Sequence, residues 1–296
     1  MAGAKEVRTK IASIKNTQKI TRAMELVAAS KMKKAQDNMQ LSRPYANKIA
    51  RVISHLVEAN SDFKHPFLGD VQGKKVGIIV MSSDRGLCGG LNVNLFKKVV
   101  QVAKEHADQG GKVKFALVGN KANSFFKSFG GDVEAFVNGF GDHPTIEPLL
   151  GSVKVMLDLY LNKEIDKLVV IYNRFVNTMT QDVTCQQLLP LCKETFANQG
   201  NDHAKANNSS YGWDYIYEPT PEFLLEELVM RFVEAQVFQA LVENIACEQA
   251  ARMVAMKSAT DNAGDMIKEL QLVYNKARQA AITQELAEIV GGASAV

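Results

Sequence analysis

The stretch from Ala4 to Arg43, AKEVRTKIASIKNTQKITRAMELVAASKMKKAQDNMQLSR, holds neither glycine nor proline. After Pro44 the helical pattern resumes through Asn60. At 1.5 Å per residue this predicts a rod of roughly 80 Å. Val7, Ile11, Ile14, Gln18, Thr21, Glu25, Ala28, Met32, Ala35 and Met39 recur at alternating spacings of four and three, which is heptad spacing. The seam is polar in its middle, and Ile20, Met24 and Val27 form a neighbouring apolar row. One narrow stripe for one partner helix does not account for both rows, so the rod is expected to offer apolar side chains to a further partner. The plainer alternative is a helix buried in its own domain, which a rod of this length outruns. Ser42 before Pro44 marks either a kink or a fresh helix start.

The far end of the chain answers it. From Glu222 to Val290 the only breaker is Gly264, giving a second rod of roughly 100 Å. Leu225, Leu228, Phe232, Ala235 and Val242 line one face, and Ile267, Leu270, Tyr274, Ala277 and Ala281 continue helical spacing. Gly264 costs about 1 kcal/mol relative to alanine and marks a candidate bend. Periodic segments this long belong to coiled coils, membrane spans or helical repeats. Charges such as Lys15, Lys19 and Arg22 interrupt every window that would span a bilayer, and no unit recurs at a fixed period. An antiparallel pair remains.

Charge supports the pairing. Residues 1–51 carry twelve basic side chains against three acidic, and residues 222–290 carry eleven acidic against six basic. The overall net charge of +3 conceals this division. The opening residues lack the apolar core of a signal peptide, and no targeting segment is expected. Cys88, Cys185, Cys192 and Cys247 have no metal-ligand spacing and read as free thiols in a reducing compartment.

Between the rods, residues 74–217 alternate strand-like and helix-like patterns. Strands are expected at Val76–Met81, Lys112–Val118, Val133–Val137 and Leu168–Tyr172. Helices are expected over Leu91–His106, Lys121–Phe129 and Ile146–Tyr160, and Phe175–Leu189 reads as a further strand with a turn near Asn177. This is the pattern of an α/β fold with a parallel or mixed sheet. Residues 198–212 read as a polar loop and Trp213–Tyr217 as a short aromatic strand or contact segment. The expected domains are a helix over 1–60, an α/β domain over 74–217, and a helix over 222–290 that pairs with the first.

An α/β sheet invites a search for a nucleotide site. Ser82-Ser83-Asp84-Arg85-Gly86-Leu87-Cys88-Gly89-Gly90 follows the first strand and precedes a helix, the place of a phosphate loop. It lacks both the Gly-Lys-Ser/Thr ending and the Gly-x-Gly-x-x-Gly spacing, so its glycines read as a tight turn. Cys88 as a nucleophile would want a histidine base, and none of His55, His65, His106, His143 and His203 stands in a catalytic or metal-binding setting. No catalytic residue, cofactor or metal is expected. The basic first rod also admits a nucleic-acid reading, against which its cations spread around the helix and aromatics are nearly absent before Tyr45.

Three separated segments, in order, carry a resemblance. Ile11–Thr21 (IASIKNTQKIT) with Ala23-Met24-Glu25 and Val27–Met32, Ser83–Gly89 (SDRGLCG), and Ala277–Ala293 (ARQAAITQELAEIVGGA) resemble the gamma subunit of F-type ATP synthases, over essentially the whole chain and in the proteobacterial form. The resemblance implies a central stalk: an antiparallel coiled coil of the terminal helices inside a hexamer of alpha and beta subunits, and a Rossmann-like α/β domain beside epsilon, resting on the ring of c subunits. It implies a non-catalytic rotor, peripheral to the cytoplasmic face of the bacterial inner membrane. By position, Arg278 and Gln279 match polar contacts with a catch loop of beta, and Thr283 and Glu285 lie on the next turn. Met24, Arg85, Cys88 and Arg252 match positions near acidic levers of beta. Tyr215, Tyr217 and Glu218 resemble the foot that meets the ring.

Overall fold

A computed structural model describes residues 2–59, 67, 73–141, 144–191 and 221–293. In chain order the elements are α1 (Ala2–Ala59), β1 (Val76–Met81), α2 (Leu91–Asp108), β2 (Val113–Val118), α3 (Asn120–Phe129), β3 (Asp132–Val137), α4 (Glu147–Leu161), β4 (Lys167–Phe175), β5 (Gln181–Leu189) and α5 (Pro221–Ala293). The chain divides into two compact units, Met1–Ser30 with Arg252–Val296, and Lys31–Ala251.

The first unit is a pair of antiparallel helices. Every expected seam position in its part of α1, from Val7 to Ala28, is half-buried or buried. On α5, Met256, Thr260, Ala263 and Ile267 are buried and Leu270, Tyr274, Ala277 and Ala281 half-buried, again alternating by four and three. The polar middle of the seam meets polar partners. The Gln18 amide donates to the Thr260 carbonyl at 3.3 Å, and the Thr21 and Thr260 hydroxyls lie 2.7 Å apart. Gly264 gives no break, because α5 runs through it. An added Cβ there would stand 3.1 Å from the Gln18 amide nitrogen, so the residue admits the Gln18 side chain. Outside the seam Ile20 and Val27 are exposed and Met24 half-buried.

The second unit is a three-layer α/β body. Its sheet has the order β3-β2-β1-β4-β5, with β5 antiparallel to β4 and every other neighbour parallel. β1 is buried along its whole length, as a central strand covered on both faces must be. One face carries Ile78, Val80, Leu117 and Ile171 against Leu95, Phe96 and Val99 of α2 and Phe126 of α3. The other carries Ile79, Met81, Val118 and Val170 with Met156 of α4, Ile49 and Ile53 of α1, and Phe232 and Val237 of α5. Burying side chains of this size contributes about 1.5–3 kcal/mol each. That packing explains why α1 continues through Pro44, where an interior proline costs about 3 kcal/mol: Ala46, Ile49, Ala50 and Ile53 just beyond it are core residues. The helix does not restart at Ser42. The Ser42 hydroxyl bonds the Met39 carbonyl and the Gln239 side chain. Residues 198–212 and Trp213–Tyr217 lie outside the described residues.

Candidate functional site

The carboxyl ends of β1 and β4, where the strand order reverses, are where an open α/β sheet places a ligand. Here the chain fills the place itself. Cys88 and Leu91 pack against Cys247 of α5, with Phe175 and Ala251 around them. Asn173 of β4 donates to Asn244 at 2.8 Å, and the Cys247 thiol donates to the Asn173 carbonyl at 3.1 Å. Burial, with Glu243 and Asp182 nearby, pushes the Cys247 thiol far up, so it stays protonated.

The glycine-rich loop is occupied in the same way. α3 begins with free backbone N–H groups, as any helix does, and residues 82–84 satisfy them. Asp84 accepts from Asn120 N–H at 3.0 Å and from Gly139 N–H at 2.9 Å. Ser83 carbonyl accepts from Lys121, and the Ser82 hydroxyl accepts from Ala122 while donating to Val118. Asn92 holds the loop from below, donating to the Ser83 hydroxyl at 2.7 Å and to the Cys88 sulfur at 3.3 Å. The N–H groups that open α3 are thus spent on the protein's own carboxylate, carbonyl and hydroxyl oxygens. Cys88 is therefore internal, and a partner at this loop meets its neighbours Arg85 and Leu87, both exposed.

Among the described residues no group of three or more His, Cys, Asp and Glu side chains is placed to hold a metal ion, and no helix is long and apolar enough to cross a membrane. His106, at the last turn of α2, has its pKa lowered by burial and by Lys167.

The expected contact residues fall into three sets. Arg85 and Cys88 share the loop after β1. Met24 and Arg252 belong to the helix pair and are half-buried. Arg278, Gln279, Thr283 and Glu285 stand exposed on the last turns of α5. Tyr215, Tyr217 and Glu218 lie outside the described residues. Two features escaped the sequence reading. One is Leu87, an exposed leucine with φ +65. The other is the exposed row Ile282, Leu286 and Ile289, which shares a face with Gln279 and not with the seam. Its four-then-three spacing was the signal.

A family model described as ATP synthase matches residues 3–296. The chain belongs to this family. It is the central-stalk chain of the gamma type, and its family is the non-catalytic stalk subunit. Among solved structures, a chain of the Euglena gracilis mitochondrial ATP synthase (OSCP, F1 and c-ring) shares the fold at 19% identity, covering 99% of this chain and 94% of that one, with a TM-score of 0.67. A chain of the Tetrahymena thermophila mitochondrial ATP synthase central stalk and c-ring is 23% identical, covers 81% of this chain and 99% of that one, and scores 0.60. A chain of the Euglena gracilis rotor is 18% identical, covers 95% and 99%, and also scores 0.60.

Proposed function

We propose that this gamma-type chain is the turning shaft of a bacterial F-type ATP synthase, in the proteobacterial form. It transmits ion-driven rotation of a c ring to three alpha and three beta subunits, with epsilon beside its α/β domain. The observation that carries the reading is the filled crevice: the α/β domain keeps a nucleotide-binding topology, and Cys88, Leu91 and Cys247 pack together at the carboxyl ends of β1 and β4. What the chain has to offer is surface. Such a subunit performs no bond chemistry. It changes the relative energies of conformations in its neighbours by contacting each differently as it turns.

The surface suits the task. Near the end of α5 the exposed apolar row Ile282, Leu286 and Ile289 is flanked by exposed Arg278 and Glu285 on one side and exposed Gln279 and Thr283 on the other. We assign the four polar residues to a catch loop of beta and the apolar row to a surrounding collar of the hexamer. Met24, Arg85 and Arg252 are assigned to acidic levers of beta, and Tyr215, Tyr217 and Glu218 to the ring. The protein would be peripheral to the cytoplasmic face of the inner membrane. The nucleic-acid reading finds no support in the family match. The test is copurification with alpha and beta chains in equal number, followed by hydrolysis with and without this chain. Recovery of the chain alone on nucleic acid, with no alpha or beta bound, would overturn the assignment.

A further inference from the structure

Two rows of α5 are buried in the α/β unit, and they answer differently to a sliding helix. Val229, Val233, Val237, Leu241 and Ile245 recur every four residues and belong to one core. Were the helix to move by four residues, about 6 Å along its axis, each aliphatic side chain would enter a site left by another. One-turn steps of this kind are a known way for packed helices to move. The aliphatic row therefore holds α5 on the sheet without choosing where along the axis it sits.

The neighbouring row, Phe232, Gln236, Ala240, Asn244 and Glu248, is as deeply buried but alternates apolar and polar. Its two amides are bonded by the sheet. Gln186 of β5 donates to the Gln236 side-chain oxygen at 3.0 Å, and Asn173 of β4 donates to that of Asn244 at 2.8 Å. A four-residue slip would set Ala240 or Phe232 against Gln186, which loses its acceptor in either sense. It would also drive Asn244 or Gln236 into the site of Ala240, which is 2% exposed, and a buried amide without a partner is unfavourable. The contact with α1 does not make the same choice. Ser42 donates to the Gln239 side chain, and the slip that brings Ala240 to the place of Gln236 brings another acceptor, Glu243, to that of Gln239.

We propose that Gln236 and Asn244 are a register lock, positioning residues that admit α5 to the sheet at one axial setting. α5 runs unbroken to Ala293, so in a turning shaft the lock keeps the helix from ratcheting along the body that drives it. That use rests on the central-stalk reading, whereas the register itself does not.

The experiment uses the full chain in its complex with cysteine-free alpha and beta, carrying Cys185→Ser and Cys192→Ser. Cys88 and Cys247 are buried. Spin labels are placed at Arg231→Cys on α5 and, in turn, at Lys97→Cys on α2 and Lys154→Cys on α4. All three positions are exposed, and the latter two helices cover opposite faces of the sheet. Double electron–electron resonance should give one distance per pair in the parent. Asn173→Leu with Asn244→Leu and Gln186→Leu with Gln236→Leu removes both partners of each bridge, a change that cores tolerate. This variant should fold, assemble and show a second population, displaced by up to about 6 Å in at least one pair. Moving the amides by one turn, with Gln236→Ala, Ala240→Gln, Asn244→Ala and Glu248→Asn, should carry the whole population to the displaced distance. Parent distances alone in either variant, or a leucine variant that does not fold, overturns the lock. If the relocated variant does not fold, the leucine variant decides. A parent chain that never enters the complex removes the shaft reading instead, and the same distances are then read on the full chain by itself.

Discussion

The hydroxyls of Thr21 and Thr260 stand 2.7 Å apart across the helix pair of the first unit. Each also reaches a carbonyl on its own helix, Thr21 to Gln18 at 3.0 Å and Thr260 to Met256 at 2.8 Å. Two hydroxyl protons serve three contacts, since each hydroxyl donates once and accepts freely. Any arrangement meets two of the three; in one of them Thr260 donates to Met256 while Thr21 donates to Thr260. A polar layer of this kind sets helix alignment at some cost in stability.

Single replacement should therefore be asymmetric to double replacement. Thr21→Val leaves Thr260 bonded to its own helix and is expected to cost about 0.5–1.5 kcal/mol. Thr21→Val with Thr260→Val removes both hydroxyls together and should be close to neutral. Denaturant unfolding of the parent, the two single variants and the double variant gives the coupling, expected at about 1 kcal/mol or more. Strict additivity would mean that the hydroxyl pair contributes nothing.

Two glycines should respond in opposite directions. At Gly264 an added methyl meets only the flexible end of Gln18, at 3.1 Å, and gains helix propensity of about 1 kcal/mol. Gly264→Ala should raise the melting temperature. At Gly119, φ is +92 and an added methyl lies 2.5 Å from the Ser82 carbonyl oxygen, at the turn that closes the filled loop. Gly119→Ala should destabilise the α/β unit by roughly 2 kcal/mol or more. Circular dichroism melts of both variants decide the signs.

The seam of α1 was legible because heptad spacing depends only on residue type. Val7, Ile11 and Ile14 announce themselves, and Gln18 and Thr21 fall in phase with them. The strands were legible to within a few residues for the same reason. The passage of α1 through Pro44 was not, because local preference opposes it and distant packing on the sheet prevails. Nor was Cys88 legible as an internal residue: its burial comes from Cys247 and Ala251, far along the chain. Arg85 beside it is exposed, and Leu87 drew no notice because a backbone angle is invisible in a letter.

Stability should depend on pH through Lys114, which bridges Glu134 and Glu164 at 2.7 Å each. Its hydrogen bonds to Glu134 and Glu164 raise its pKa, and its hydrogen bond to Glu164 lowers the pKa of that carboxyl. The lowered carboxyl contributes stability above its unfolded value of about 4.3, lost as pH falls through the lower folded value. The raised amine contributes below about 10.4, lost only as pH rises through its higher folded value. Both contributions are complete between those limits. Lys114→Met should lower the urea midpoint across that plateau and flatten the acid limb. An acid limb identical to that of the parent would remove this triad from the account.

The last prediction separates contacts that turn together from contacts that must slide. Thr21 and Thr260 face each other across the pair, their hydroxyl oxygens 2.7 Å apart, which makes them the positions at which to place a disulfide. Thr21→Cys with Thr260→Cys ties the helix pair to itself, and a complex carrying that bond should hydrolyse ATP at close to the parent rate. A disulfide from Arg278→Cys to a cysteine in the facing beta loop ties the shaft to a body it must turn past. Multisite turnover should then stop and return on reduction. Cys88 does not serve for this second bond, because its sulfur is buried beneath the loop and bonded by Asn92. A stationary scaffold would tolerate both bonds, since fastening a scaffold to its neighbour removes no motion that it needs. The measurement is steady-state hydrolysis before and after reduction, with cross-link yield read on a gel. Undiminished turnover at near-complete cross-linking through position 278 would mean that this chain does not rotate.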